Sequence, residues 1–193
     1  MAQSTGTNKI KTAVFFSGNG SNLKSLIRFS YKKRSPISIE IIITNNPKAK
    51  GLKFGKIFKI KIKLINYKNK YLAEKKIFLE LKKCNIKLIC LAGFMKIISK
   101  NFIKKFKGKI INIHPSLLPK YKGLRTHERV IKNNEKFSGC TVHFVNAKLD
   151  SGKIILQKKV KISKKDTPNK LAKKILVQEH KIYPRAIMKI ISL

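Results

Sequence analysis

Apolar, β-branched runs alternate with longer polar segments along most of the chain. Ala13–Ser17, Ile37–Thr44, Ile62–Ile65, Ile86–Leu91 and Lys109–Ile113 read as strands. Ile86–Leu91 is apolar without a break, the pattern of a strand covered on both faces. Ser21–Lys33 and Lys70–Lys83 read as helices. In the second, Leu72, Lys76, Leu79 and Lys83 fall on adjacent turns, and Ile77 and Leu81 widen the apolar stripe. Such alternation predicts an α/β fold of Rossmann-like type: a mostly parallel central sheet with helices on both faces. Thr141–Val145 and Lys153–Ile162 are two further strands joined across the turn Asp150-Ser151-Gly152, and they form an antiparallel C-terminal extension. A last helix is expected over Asn169–Ile191, after Thr167-Pro168, with Pro184 kinking or dividing it. No repeat and no Pro- or Gly-rich linker interrupts the pattern. A single domain over residues 1–193 follows, with residues 1–10 as a polar, disordered tail.

Composition narrows the class. Hydrophobic residues make up 42% of 193 residues, which is globular rather than disordered. The longest uncharged apolar run, Leu88–Met95, is far short of the roughly 20 residues a membrane span needs. Met1–Lys11 has no apolar core of a secretory signal, so a cytoplasmic location away from membranes is expected. Cys84, Cys90 and Cys140 are odd in number and lack metal-ligand spacing, as do His127, His143 and His180. Reduced thiols packed as small hydrophobes, and no metal, are the expectation. The formal charge of +38 raises the question of nucleic acid. Only five of the 46 basic residues are arginine, the better reader of phosphates and base edges, and the lysines are spread along the whole chain. With Ile and Asn also abundant, this points to drift under AT-rich coding DNA. No specific nucleic acid is expected, although weak, salt-sensitive polyanion binding follows from the charge alone.

Three segments carry candidate chemistry. Phe16–Leu23, between the first strand and first helix, holds Gly18 and Gly20 and then Ser21 and Asn22. Leu23 stands where a dinucleotide fingerprint has its third glycine, and no Walker lysine follows. A monophosphate at the helix N-terminus and a merely structural tight turn both fit. Asn112 and His114, two apart at the end of a strand, point to one side at the sheet's carboxyl end, where open α/β folds bind ligands. An amide beside an imidazole can polarise a carbonyl and move a proton, although a structural histidine fits as well. Asp150 is either a turn former or a carboxylate brought near His114, where it would raise the pKa of the ring.

Taken together, these segments resemble the glycinamide ribonucleotide formyltransferase family, the folate-dependent enzymes of purine biosynthesis. The similarity runs from about Ala13 to Pro184. It rests on Ser17-Gly-Asn-Gly-Ser-Asn22, Leu91-Ala-Gly-Phe-Met95, Asn112-Ile-His-Pro-Ser-Leu-Leu-Pro-Lys-Tyr121, Val142-His-Phe-Val145 with Leu149-Asp150, Ile155-Leu-Gln157, and Gln178-Glu-His180 with Tyr183-Pro184. The resemblance implies that Gly20, Ser21 and Asn22 cradle the substrate phosphate and that Glu179 holds its glycinamide end. Asn112, His114 and Asp150 resemble the catalytic trio. Met95, Lys96, Ile97 and Ile98 line a folate pterin pocket together with Asn112, and Lys70 meets the folate's glutamate tail. Lys70 and Lys96 stand where the family often has Arg, and Lys122 and Arg125 replace a familiar Pro and His in the loop Lys120–Thr126.

The implied substrates are glycinamide ribonucleotide and 10-formyltetrahydrofolate, the latter a co-substrate, in a monomer or homodimer. The implied reaction is direct attack of the amine on the formyl carbon, with Asn112 and a protonated His114 donating to the formyl oxygen. Asp150 keeps His114 charged and orders a relaying water. Methionyl-tRNA formyltransferase shares the trio, but such chains carry a second β-barrel domain, and nothing here follows Leu193. Formyltetrahydrofolate deformylase would carry an extra N-terminal domain. A nonenzymatic polyanion binder on a decayed scaffold is disfavoured by the intact trio.

Overall fold

The structure, a computed structural model, describes residues 9–192. Seven strands form one sheet in the order β3-β2-β1-β4-β5-β6-β7. They span β1 Ile10–Phe16, β2 Ile37–Thr44, β3 Lys61–Leu64, β4 Leu88–Leu91, β5 Lys109–His114, β6 Phe137–Phe144 and β7 Ile154–Lys161. The pairs from β3 through β5 are parallel, whereas β5–β6 and β6–β7 are antiparallel. The helices are α1 Ser21–Ser30, α2 Leu52–Ile57, α3 Lys70–Lys83, α4 Lys100–Lys105, α5 Thr126–Lys132 and α6 Pro168–Ile191. This is the expected Rossmann-like sheet with its antiparallel extension.

Alternate strand residues feed two cores. Val14, Phe16, Ile42, Cys90, Ile111 and Ile113 pack on one face with residues of α1, α5 and α6. Ala13, Phe15, Ile41, Ile43, Ile89 and Ile110 pack on the other with α3 and α4. The stripe of α3 differs from the one expected. Ala73, Ile77 and Leu81 are its buried line, while Leu72 and Leu79 are both about half exposed. The four-residue step 73-77-81 faces the sheet, and Leu72 and Leu79 lie just off it. The tail expected over residues 1–10 does not include Ile10. Ile10 opens β1, with its N–H on the Pro36 carbonyl at 2.8 Å, and residues 1–8 lie outside those described.

The strand order reverses between β1 and β4, because the chain first runs outward through β2 and β3 and then returns. The loops after β1 and β4 therefore flank one crevice at the carboxyl end of the sheet. Pro184 does not divide α6, which runs unbroken to Ile191. The ring removes one N–H, so the His180 carbonyl has no donor four residues on. Ser25 Oγ of α1 donates to that carbonyl instead, at 3.3 Å.

Candidate active site

The first loop enters α1 through Gly20, whose φ of 72° lies in the left-handed region and which makes no side-chain cap. A Cβ there would also sit 2.7 Å from Gly51 Cα, so only glycine fits. The first N–H groups of α1 are thus free of intrahelical and side-chain partners, at the positive end of the helix dipole, which suits an anion. The side chain of Asn22 reaches α6. Buried, it donates from Nδ2 to Glu179 Oε2 at 2.7 Å. The two residues expected at opposite ends of one substrate touch each other, and the Asn22 amide holds Glu179. Burial pushes the Glu179 carboxyl up, against the opposing effect of the Asn22 bond.

On the other side of the crevice, β5 carries Asn112 and His114 to the sheet's carboxyl end. The antiparallel register sets Asn112 opposite His143 and His114 opposite Thr141. Asn112 Nδ2 lies 3.3 Å from His143 Nε2. His143 Nδ1 lies 2.8 Å from the Phe144 carbonyl. A carbonyl only accepts, so Nδ1 bears the hydrogen and Nε2 can receive the Asn112 amide. The strand register shifts between Val142 and His143, with Ile155 the extra residue on β7, and this bulge lies beside the site. By the same argument His114 Nε2, 2.8 Å from the Tyr121 carbonyl, carries a hydrogen. His114 Nδ1 then faces Asp150 Oδ2 at 3.4 Å, and Asp150 Oδ1 is 3.7 Å from His143 Nε2.

Asn112, His114 and Asp150 therefore converge as the sequence led us to expect, and His143 joins them. Its signal was non-local: a histidine on β6 meets Asn112 only once the antiparallel register is known. The electrostatics depart from expectation. Burial drives the His114 pKa below its usual value of 6.5, outweighing the upward effects of the Tyr121 carbonyl and the Asp150 charge. Burial thus favours the neutral ring, and works against the standing imidazolium expected from its acidic neighbour. Burial also works against the Asp150 charge, but the His143 contact, the Gly123 N–H at 2.9 Å and the two nearby imidazoles bring its pKa down on balance.

The loop Lys120–Thr126, altered at Lys122 and Arg125, is tied to the Asp150 turn. Lys122 Nζ donates to Ser151 Oγ at 2.6 Å, and Arg129 donates to the Lys122 and Leu124 carbonyls at 2.7 and 3.3 Å. Tyr121, Gly123 and Arg125 all take left-handed backbone angles, which curl the loop over His114. After β4, Phe94 anchors the second loop edge-on against Phe15 and Tyr67. Beyond it Met95 and Ile97 are 62% and 63% exposed, Lys96 is exposed and Ile98 is buried. Lys70 is the exposed first residue of α3. At the opposite end of the sheet, a recess of about 270 Å³ lined by Ile10, Lys87, Leu88, Gly108, Lys109 and Ile190 contains none of these groups. Among the described residues, no helix is long and apolar enough to cross a membrane.

Comparison with known proteins bears on the family and the fold. The formyl transferase family model matches residues 10–187. The chain is 41% identical over 187 residues to the human trifunctional purine biosynthetic protein adenosine-3, covering 95% of this chain and 18% of that protein. To phosphoribosylglycinamide formyltransferase of Haemophilus influenzae it is 40% identical, over 92% of this chain and 85% of the relative. The crystal structure of phosphoribosylglycinamide formyltransferase from Anaplasma phagocytophilum superposes with a TM-score of 0.88 at 39% identity, covering 95% of this chain and 87% of that one.

Proposed function

Because this chain belongs to the formyl transferase family, we propose that it transfers the formyl group of 10-formyltetrahydrofolate to the primary amine of glycinamide ribonucleotide. The observation that carries this reading is the convergence of Asn112, His114, His143 and Asp150 between an anion-ready helix terminus and an exposed apolar loop. The names of the full-length bacterial relatives supply the nucleotide. The apolar loop suits the flat ring of a folate, since covering Met95 and Ile97 would remove apolar surface from water. Lys70 and Lys96 would meet its glutamate tail and polar edge as point charges rather than bidentate forks. The N–H groups of Gly20, Ser21 and Asn22 would hold the phosphate, and Glu179 the glycinamide end.

In this reading the amine attacks the formyl carbon, a new C–N bond forms and the bond to the folate nitrogen breaks. Holding both partners in register accounts for the largest part of the acceleration, on the order of 7 kcal/mol or more. Asn112 donates to the formyl oxygen as negative charge develops there, a contribution of roughly 3 kcal/mol for one such donor. His114 Nδ1 receives the amine's proton, directly or through a water, and Asp150 stabilises the imidazolium that results. The same proton then passes to the departing nitrogen, so the site ends as it began.

Absorbance-monitored formyl transfer with purified protein and both substrates is the direct test. Turnover dependent on glycinamide ribonucleotide is expected. Hydrolysis of the donor without it, or activity only with an aminoacylated tRNA, would overturn the assignment.

A further inference from the structure

We propose that Ser17, fixed by Asn45, is a positioning residue that couples the two substrate loops, so that each bound substrate tightens the binding of the other. The inference rests on the two-substrate reading above. Ser17 is the last residue before the glycine loop and is 7% exposed. All of its hydrogen-bonding groups reach across to flanking segments. Its N–H donates to the Gly93 carbonyl at 3.0 Å, in the loop after β4. Its carbonyl accepts from Asn46 Nδ2 at 2.9 Å, in the segment after β2. Its hydroxyl donates to Asn45 Oδ1 and accepts the Met95 N–H at 2.8 Å.

A hydroxyl is suited to this junction because it donates one hydrogen and still accepts another. Asn45 takes the hydrogen and so turns the lone pairs toward Met95. The segment after β2 also bears on the anion loop itself. The Gly51 N–H donates to the Gly18 carbonyl at 3.1 Å, and a Cβ on Gly51 would fall 2.9 Å from Gly20 Cα. Three segments thus meet at one side chain. An anion that settles the Gly18–Gly20 backbone also settles Ser17, and with it the N–H of Met95 at the head of the apolar loop. Order gained on one side need not be gained again on the other, which gives positive coupling. Such coupling is reciprocal between the two ligands.

The test uses tetrahydrofolate, which lacks the transferable group, titrated by calorimetry with and without glycinamide ribonucleotide. In the unsubstituted protein the nucleotide should tighten tetrahydrofolate by about 5-fold or more. Ser17→Ala and Asn45→Ala should each reduce that effect to less than about 2-fold, with each ligand alone held within about 3-fold of its original affinity. Asn45→Ala leaves both substrate loops unsubstituted, so a loss there does not come from damage at Ser17. Coupling that survives in both variants, or that is absent from the unsubstituted protein, would overturn the inference while leaving formyl transfer intact. If the unsubstituted protein transfers no formyl group, the functional reading falls and this inference falls with it.

Discussion

At Asp150 one carboxylate is shared between two imidazoles, and burial lowers the pKa of the His114 ring. That fixes the sign of the pH response. His114 accepts a proton only when neutral, so kcat/KM should rise as pH climbs through the His114 pKa, which lies below 6.5. Asp150 raises that pKa, so Asp150→Asn should move the acidic limb to still lower pH. It also removes the charge that stabilises the imidazolium, and kcat should fall by about 10²-fold or more. A pH–rate profile of both proteins reads the two effects together. Near-native turnover, or a limb shifted upward, would remove Asp150 from the proton path. At this scale the sequence was informative where chemistry is local. Asn112 and His114 share a side because they lie two apart on a strand. The resemblance supplied Asp150. The net effect of burial on His114 depends on Tyr121, the loop above it and the sheet below, none of which spacing reveals.

Among the elements, the junction of α1 and α6 shows how a proline inside a helix is accommodated by its neighbour. Pro184 deprives the His180 carbonyl of its helical donor, and Ser25 Oγ supplies one from α1. Ser25→Ala should cost about 1 kcal/mol, because a carbonyl within the packed interface is left without a partner. In a Pro184→Ala background the helix regains its own N–H, and the same change at Ser25 should cost close to nothing. Denaturant unfolding of the four proteins of the cycle measures the coupling. Equal costs in both backgrounds would show that the contact is incidental. The sequence marked Pro184 as a kink or a division because it shows the missing N–H and not the neighbour that replaces it. For the same reason α2, α4 and α5, of six, six and seven residues, were not anticipated. Helices this short have too few turns to display a period, and α4 is held by the Ser99 cap and the packing of Phe102. The longer α3 and the strand β2 were legible to the residue at both ends, since Asn69 caps one and a run rich in isoleucine, broken only by Ser38 and Glu40, defines the other.

Across the whole molecule, charge acts on stability and on binding with opposite signs. The formal charge is +38, with only eight acidic residues. Several of those are turned inward: Glu74 on Ser99, Asp150 on the histidines and Glu179 on Asn22. Among the described residues, Glu80, Glu135 and Asp166 are the acids that form ion pairs with lysine. Most cations on this surface therefore face one another without compensation, and the folded state holds them closer together than the unfolded chain does. Added salt screens that repulsion over a Debye length that shrinks from about 30 Å at 0.01 M to about 8 Å at 0.15 M. Thermal unfolding should accordingly move upward by several degrees between those conditions, the reverse of a protein held by surface ion pairs. The same screening weakens the pull on an anionic nucleotide, so KM for glycinamide ribonucleotide should rise over the same range while kcat changes little. Binding to an unrelated polyanion such as heparin should collapse with a steep log–log dependence on salt. If heparin binding instead resisted salt, or saturated at one molecule per chain with the nucleotide site blocked, the lysines would form a selected surface and the drift reading would be wrong.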